Sequence, residues 1–407
     1  MKKLFLYIVS LFVLVGCSDE IPEHEQPLQP KRAILAYLIA NNNLDSYIMN
    51  NVEWMYESLA ESEDSCALIV YYKPYSTNQY IDEPQILAFL ADGHGQINGQ
   101  PVLEKNSRTE GNIIAQAKQY AAVPGIATDA DVMLANLQMM TNILPSQSYG
   151  LIFGSHATSW MPAVGTTIST KSFGQDGTSR NSINIPELAE VLEQSFPGNL
   201  DFVLFDACMM ETAEVCYELR HATHYCIASV METPVVGLPY HLILDDLYQD
   251  DIDFNQLCKD VISFNKKEGL WGTYAVVDCT QMDDFAASVR NQLAPYKSTI
   301  ENMQDYHLFQ QYGVNDYLYF SFDVADIIKQ LNEGTLPADF QQVLDQTVIA
   351  KGCITDAGYS TNPYGSVLRD EDRYCGMGMY IPDAVDNGDW NAYYRSAISW
   401  YQTVWSD

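Results

Sequence analysis

The chain has 407 residues, 47% of them hydrophobic and 18% charged, the composition of a folded globular protein large enough for one α/β domain with an accessory lobe. Its 53 acidic against 21 basic residues give a formal net charge of −32. Such a surface repels nucleic acid and anionic membranes and excludes nucleic acid as a partner; it attracts a cationic substrate, and it equally serves plain solubility.

At the amino terminus, Lys2 and Lys3 precede an apolar run from Leu4 to Val15 that closes in Leu14-Val15-Gly16-Cys17. The run is too short to span a bilayer and reads as a signal segment over residues 1–16. A small residue before Cys17 resembles the bacterial lipoprotein cleavage motif. The resemblance implies lipid attachment at Cys17, the alternative being a cysteine removed with the signal. Ser18-Asp19-Glu20 resembles the acidic tag that exports lipoproteins in Bacteroides-like bacteria, which implies an outer-membrane lipoprotein exposed at the cell surface. Residues 17–31, with Pro22, Pro27 and Pro30, lack periodicity and read as a tether.

The folded part opens at Ala33–Ala40, a continuous apolar run suited to an interior strand. The loop Asn41-Asn42-Asn43-Leu44 follows, then a helix around Val52–Glu61. Ala67–Tyr72 and Ile86–Leu90 are strands, Asp131–Leu144 is a helix stopped by Pro145, and Tyr149–Gly154 is an apolar strand ending at Ser155-His156. Ala163–Ser182, rich in Gly, Ser and Thr, reads as a long loop. Pro186–Phe196 is a helix with proline in its first turn.

The stretch Asp201–Arg220 organises the rest. Phe202–Phe205 is a buried strand, and from Met210 the period changes to that of a helix, with Glu211, Glu214 and Glu218 outside. Cys208 thus stands at a strand's carboxyl end beside a helix amino terminus, where dipole and unpaired amides favour a thiolate. A buried, inert cysteine is the plain alternative. Tyr225–Ser229 and Thr273–Val277 are further strands and Phe254–Lys267 a helix. This alternation predicts an α/β three-layer sandwich with a mostly parallel sheet over residues 32–280. Residues 281–407 follow a different rhythm and read as a C-terminal accessory α/β region packed on that core. Its expected elements are Met282–Glu301, Leu318–Phe322, Met377–Ile381 and Asp389–Trp405.

Nine cysteines without close CxxC pairs indicate neither a zinc site nor a disulfide framework, though one or two disulfides remain open. Cys216 and Cys226 read as core residues. His156 and Cys208 are the pair that could do chemistry. If their strands share one parallel sheet they emerge at one rim, and the helix between them serves as the crossover. Histidine can take the thiol's proton and return it to a leaving amine.

Several separated blocks resemble the clostripain-like cysteine peptidases, family C11 of clan CD, relatives of caspases and gingipains. They are Ala33–Leu44 (AILAYLIANNNL), Leu151–Trp160 (LIFGSHATSW), Ile185–Leu192 (IPELAEVL), Asp206–Leu219 (DACMMETAEVCYEL) and Ser229–Tyr240 (SVMETPVVGLPY). The resemblance implies a caspase-like sheet and a cysteine endopeptidase with Cys208 as nucleophile and His156 as base and acid. It also implies an oxyanion hole of the Cys208 and Ala157 amides and a peptide or protein substrate with Arg or Lys at P1, bound by Asp206 in S1. Asp206 could instead cap the following helix. Ser229 and Glu232 are candidate cleft walls. Relatives carry glycines after the histidine where this chain has Ala157, Thr158 and Ser159, a departure that costs of order 1 kcal/mol per residue if the hole needs a left-handed backbone.

Many relatives cut themselves after a basic residue between the catalytic pair, which makes Lys171 and Arg180 candidate sites. The chemistry needs no cofactor. Some relatives use Ca²⁺, and the carboxylate surplus is compatible with it, but no ordered ligand motif places one. A monomer is the default. The rival reading is an inactive caspase-like lipoprotein that binds protein or glycan through exposed aromatics among Tyr380, Trp390, Tyr393, Tyr394, Trp400 and Tyr401. A hydrolase of another class finds neither a GxSxG elbow nor a zinc motif to stand on.

Overall fold

A computed structural model describes residues 31–406 apart from 76–77, 163–171, 316–317, 356–367 and 369. The signal segment, Cys17, the tether before Lys31, and Lys171 lie outside the described residues.

Eight strands build the main sheet: β1 (Arg32–Ile39), β2 (Ser65–Lys73), β3 (Gln85–Asp92), β4 (Ser148–Gly154), β5 (Leu200–Asp206), β6 (Tyr225–Ala228), β7 (Thr273–Asp278) and β8 (Val348–Cys353). Their spatial order is β8-β7-β6-β5-β4-β1-β2-β3, with three short strands extending the β3 edge. The five central strands, β6 to β2, run parallel, and β3, β7 and β8 are antiparallel additions. The continuous apolar runs have their cause here, because both faces of the centre are covered. In β1, Ala33, Leu35, Tyr37 and Ile39 enter one core and Ile34, Ala36 and Leu38 the other, as the two-residue period of a strand requires.

Helices Ala130–Ile143, Ile185–Ser195, Ala213–Leu219 and Met282–Leu293 contribute to the first core, while Asp45–Glu61 and Phe254–Lys267 contribute to the second. The result is the expected three-layer sandwich with a largely parallel sheet and a further α/β region. Residues beyond 280 also supply β8, which pairs with β7, and a small sheet of Gln311–Asn315, Leu318–Asp323 and Gly378–Met379.

Four expectations are corrected. Part of the presumed loop Ala163–Ser182 is a β-hairpin, Phe173–Asp176 with Asn181–Ile183. The helix after Cys208 starts at Ala213, capped by Thr212. Glu211, Glu214 and Glu218 are buried instead of facing solvent. Tyr380, Trp390, Tyr394 and Trp400 are buried too, so they are core and offer no stacking surface. The last two corrections have one cause. Tyr380 N and Tyr394 OH both donate to Glu214 Oε1 at 2.8 Å, and Ser399 Oγ donates to Glu218 Oε2 at 3.0 Å. The carboxylates were read as outside because their donors lie far along the chain. The cysteines from Cys66 to Cys375 are all free thiols. Among the described residues, no helix is long and apolar enough to cross a membrane.

Candidate active site

Strands β4 and β5 are parallel neighbours, and Asp206 pairs in register with Gly154. His156 and Cys208 each stand two residues beyond that pair, so the sheet delivers both to its carboxyl rim. Both line one cavity of about 260 Å³, together with Asp206, Ala157, Asn51, Glu232 and Gly237.

Cys208 is half-buried, and its Sγ accepts from the Thr233 amide at 3.4 Å. The next residue, Met209, has φ 59°, a left-handed turn that costs an ordinary L-residue roughly 1–2 kcal/mol. Backbone bonds offset that cost: Met209 N donates to Met231 O at 3.0 Å and Glu211 N to Ser229 O at 3.1 Å. This turn is why the helix starts late, and it leaves Cys208 away from the helix terminus whose dipole was expected to favour the thiolate. Methionine carries no turn signal, so the sequence hid the turn.

His156 is held by the asparagine loop. Its Nε2 lies 2.9 Å from Asn43 Oδ1. Asn42 Nδ2 donates to Ile39 O and Gln175 O, both at 2.9 Å, and Asn41 Nδ2 donates to Asp176 Oδ1 at 2.6 Å. Three consecutive asparagines therefore join the end of β1, the hairpin and the histidine. Sequence reading noted the loop but missed Asn43; its signal was the position, directly after the first interior strand.

Hydrogen bonds from Gly174 N to His156 O at 2.8 Å and from Thr158 N to Ser172 O at 3.3 Å flank Ala157. The Ala157 amide consequently points away from the hairpin. Of the three residues that stand in place of glycines, Ser159 alone has a positive φ, 59°, and its hydroxyl meets Thr212 Oγ1 at 2.8 Å. Trp160 then packs against Tyr380 and Tyr394, with ring centroids 5.0 and 4.6 Å away.

Asp206 does not cap the helix. Its Oδ2 accepts from Leu238 N at 3.1 Å and Tyr240 OH at 3.0 Å, and no described residue donates to Oδ1. Burial pushes the carboxyl up to about 6, partly countered by those two donors. Gly237, at φ +71°, closes over it. A Cβ there would stand 2.6 Å from both Asp206 Oδ2 and Asn51 Oδ1, so a side chain would displace the acceptors. Gly237, Asn51 and Tyr240 were not singled out from the sequence, although the SVMETPVVGLPY block carries two of them.

Ser229 lies behind the wall, its hydroxyl 2.8 Å from Thr273 Oγ1, whereas Glu232 lines the cavity. Arg180 is exposed at the end of the hairpin turn. Among the described residues the one close group of three metal-ligating side chains is Glu211, Cys216 and Cys226.

The Clostripain family of C11 peptidases matches residues 36–404, while no curated protein matches the sequence. Among solved structures the chain is similar to the secreted C11 cysteine protease iotapain of Bacteroides thetaiotaomicron, at 20% identity and a TM-score of 0.72, covering 93% of this chain and 100% of that one. The same bacterium's secreted C11 protease in complex with an irreversible peptide inhibitor matches at 21% and 0.69, covering 93% and 100%. An inactive zymogen C11 protease of Parabacteroides distasonis also matches at 21% and 0.69, covering 94% and 100%. At these identities the structures speak for the fold, and the family match spans nearly all the described residues: the chain belongs to the Clostripain family of cysteine peptidases.

Proposed function

We propose that the protein is a cysteine endopeptidase that cuts after Arg or Lys through a Cys208–His156 dyad. One observation carries the reading: Cys208, His156 and a half-buried Asp206 line the same small cavity. Asn43 engages Nε2 of His156, so Nδ1 is the nitrogen that exchanges a proton with the thiol and the leaving amine. Cys208 Sγ attacks the scissile carbonyl, and the oxygen's developing charge is received by the amides of Cys208 and Ala157. His156 then protonates the leaving amine, and water, deprotonated by the same imidazole, hydrolyses the thioester.

In S1, Asp206 Oδ1 and Asn51 Oδ1 are the acceptors for a guanidinium or ammonium group, which fits the charge-assisted pairing that selects a basic side chain. Glu232 adds negative charge to the wall, and Ser229 supports that wall from behind. The same specificity makes Lys171 and Arg180 candidate self-cleavage points; Arg180, held in a turn by its amide's bond to Gly177 O at 3.1 Å, requires the hairpin to open first. The mature chain is proposed to be tethered through lipidated Cys17 at the outer membrane, a compartment compatible with its secreted relatives.

The test is turnover of peptides with Arg or Lys at P1. The wild-type chain cleaves them and Cys208→Ala lowers kcat by at least about a thousandfold. Activity untouched by the substitution, or none on a broad peptide panel after cleavage between the dyad residues, overturns the reading.

A further inference from the structure

Behind the nucleophile loop lies a second cluster of reactive groups that the dyad does not use. Glu211 sits three residues past Cys208, Cys216 on the helix Ala213–Leu219 and Cys226 on β6, all fully buried. One ligand atom from each lies within 4.8 Å of the other two. The Cys216 thiol donates to Glu211 Oε1 at 3.4 Å. The other carboxyl oxygen, Oε2, is buried with no hydrogen-bond partner. A fourth thiol, that of Cys279, is buried beside Cys216.

An unpaired buried carboxyl oxygen costs on the order of 1–3 kcal/mol or more, and nothing in the dyad's chemistry calls for this one. A cation removes the conflict by replacing protons with coordinate bonds. Tetrahedral zinc with thiolate and carboxylate donors needs ligand atoms roughly 3.5–3.8 Å apart, so Glu211, Cys216 and Cys226 must draw together by about 1 Å at most. Two sulfurs select a thiophilic ion over Ca²⁺ or Mg²⁺.

We propose that Glu211, Cys216 and Cys226 form a structural site for Zn²⁺, with Cys279 as the fourth donor. Binding releases the thiol protons of Cys216, Cys226 and Cys279, which coordinate as thiolates beside the Glu211 carboxylate. Because Glu211 N is bonded to Ser229 O and Glu211 O accepts from Gly378 N at 3.1 Å, the ion ties the nucleophile loop to the helix behind it, to β6 and to the C-terminal region. It stiffens the loop and takes no part in peptide cleavage.

The experiment uses the full chain carrying Cys208→Ala, which removes the half-buried thiol of the cavity as a competing ligand. The protein is loaded with Zn²⁺, dialysed against a weak chelator, and its metal measured by atomic emission; Cd²⁺ loading gives an independent thiolate charge-transfer band. About one ion per chain is expected, falling to about a tenth or less on adding Cys216→Ser or Cys226→Ser and unchanged on adding Cys353→Ser. Glu211→Gln preserves size and is expected to weaken retention at least about tenfold, which decides the matter if a serine variant fails to fold. No retained metal overturns the site, as does retention indifferent to these substitutions. Mass spectrometry that finds Cys216 and Cys226 joined as a disulfide in the isolated protein overturns it too.

Discussion

The segment from Asp206 to Leu219 is built to opposite rules on its two sides. Toward the cavity, Asp206 and Cys208 are half-buried. On the far side, Glu211, Glu214 and Glu218 are buried, and Glu214 and Glu218 are met by donors from residues 380–399. The loop after His156 repeats the pattern: His156 lines the cavity, while Trp160 is packed into the same C-terminal aromatic layer. Reactive side chains thus hang from short loops whose backs are clamped, the arrangement that holds a site in place without burying it. The C-terminal region beyond residue 280 is the common clamp.

Breaking the clamp should unsettle both loops at once. Trp160→Ala empties a site buried against two aromatic rings and is expected to cost about 3–5 kcal/mol, read as a lower denaturation midpoint, with activity lost only as the fold is lost. If stability is unchanged, the clamp is not where the account puts it.

Glu214 gives a pH-dependent version of the same comparison. Burial raises its carboxyl to about 7 from an ordinary 4.5, with the Tyr380 amide and Tyr394 hydroxyl only partly opposing. Between those values the folded chain keeps a proton that the unfolded chain has released. The resulting stability is whole below about pH 4.5 and is lost as pH rises through about 7, a swing of roughly 3 kcal/mol. Glu214→Gln, which still accepts from both donors, should flatten the profile by that amount in denaturation series at pH 4.5 and 7.5. Parallel profiles for the two proteins would remove the argument.

On the cavity side the smallest change is Asn43→Ala. Loss of the contact to His156 Nε2 is expected to lower kcat about tenfold with KM and stability nearly unchanged. An equal rise in KM would instead make Asn43 a binding residue.

The contrast also explains what the sequence discloses. β1, β4 and β5 are legible because a strand covered on both faces must be apolar throughout, and the reactive pair is legible because each member directly follows such a strand. The backs of the loops are not. Glu214 looks exposed by helical period, Tyr380 reads as part of a short strand and Tyr394 as a helix's aromatic face, until they are seen to satisfy one another. Met209 and Ser159 hold left-handed turns without glycine, so tertiary bonds decide them. β8 is missed for another reason: its apolar run, Val348-Ile349-Ala350, is only three residues long before Lys351-Gly352, and it lies at the sheet's edge with only Ala350 fully buried.

The central claim is that Cys208 and Asp206 serve one substrate from one cavity. Labelling of the thiol by matched peptide electrophiles with Arg, Lys or Leu at P1, read by peptide mass mapping, tests it most directly. The account predicts attachment at Cys208, at least about a hundredfold faster for the basic peptides, with that preference abolished in Asp206→Asn. Equal rates for the three peptides, a preference that survives Asp206→Asn, or attachment at another cysteine would contradict it.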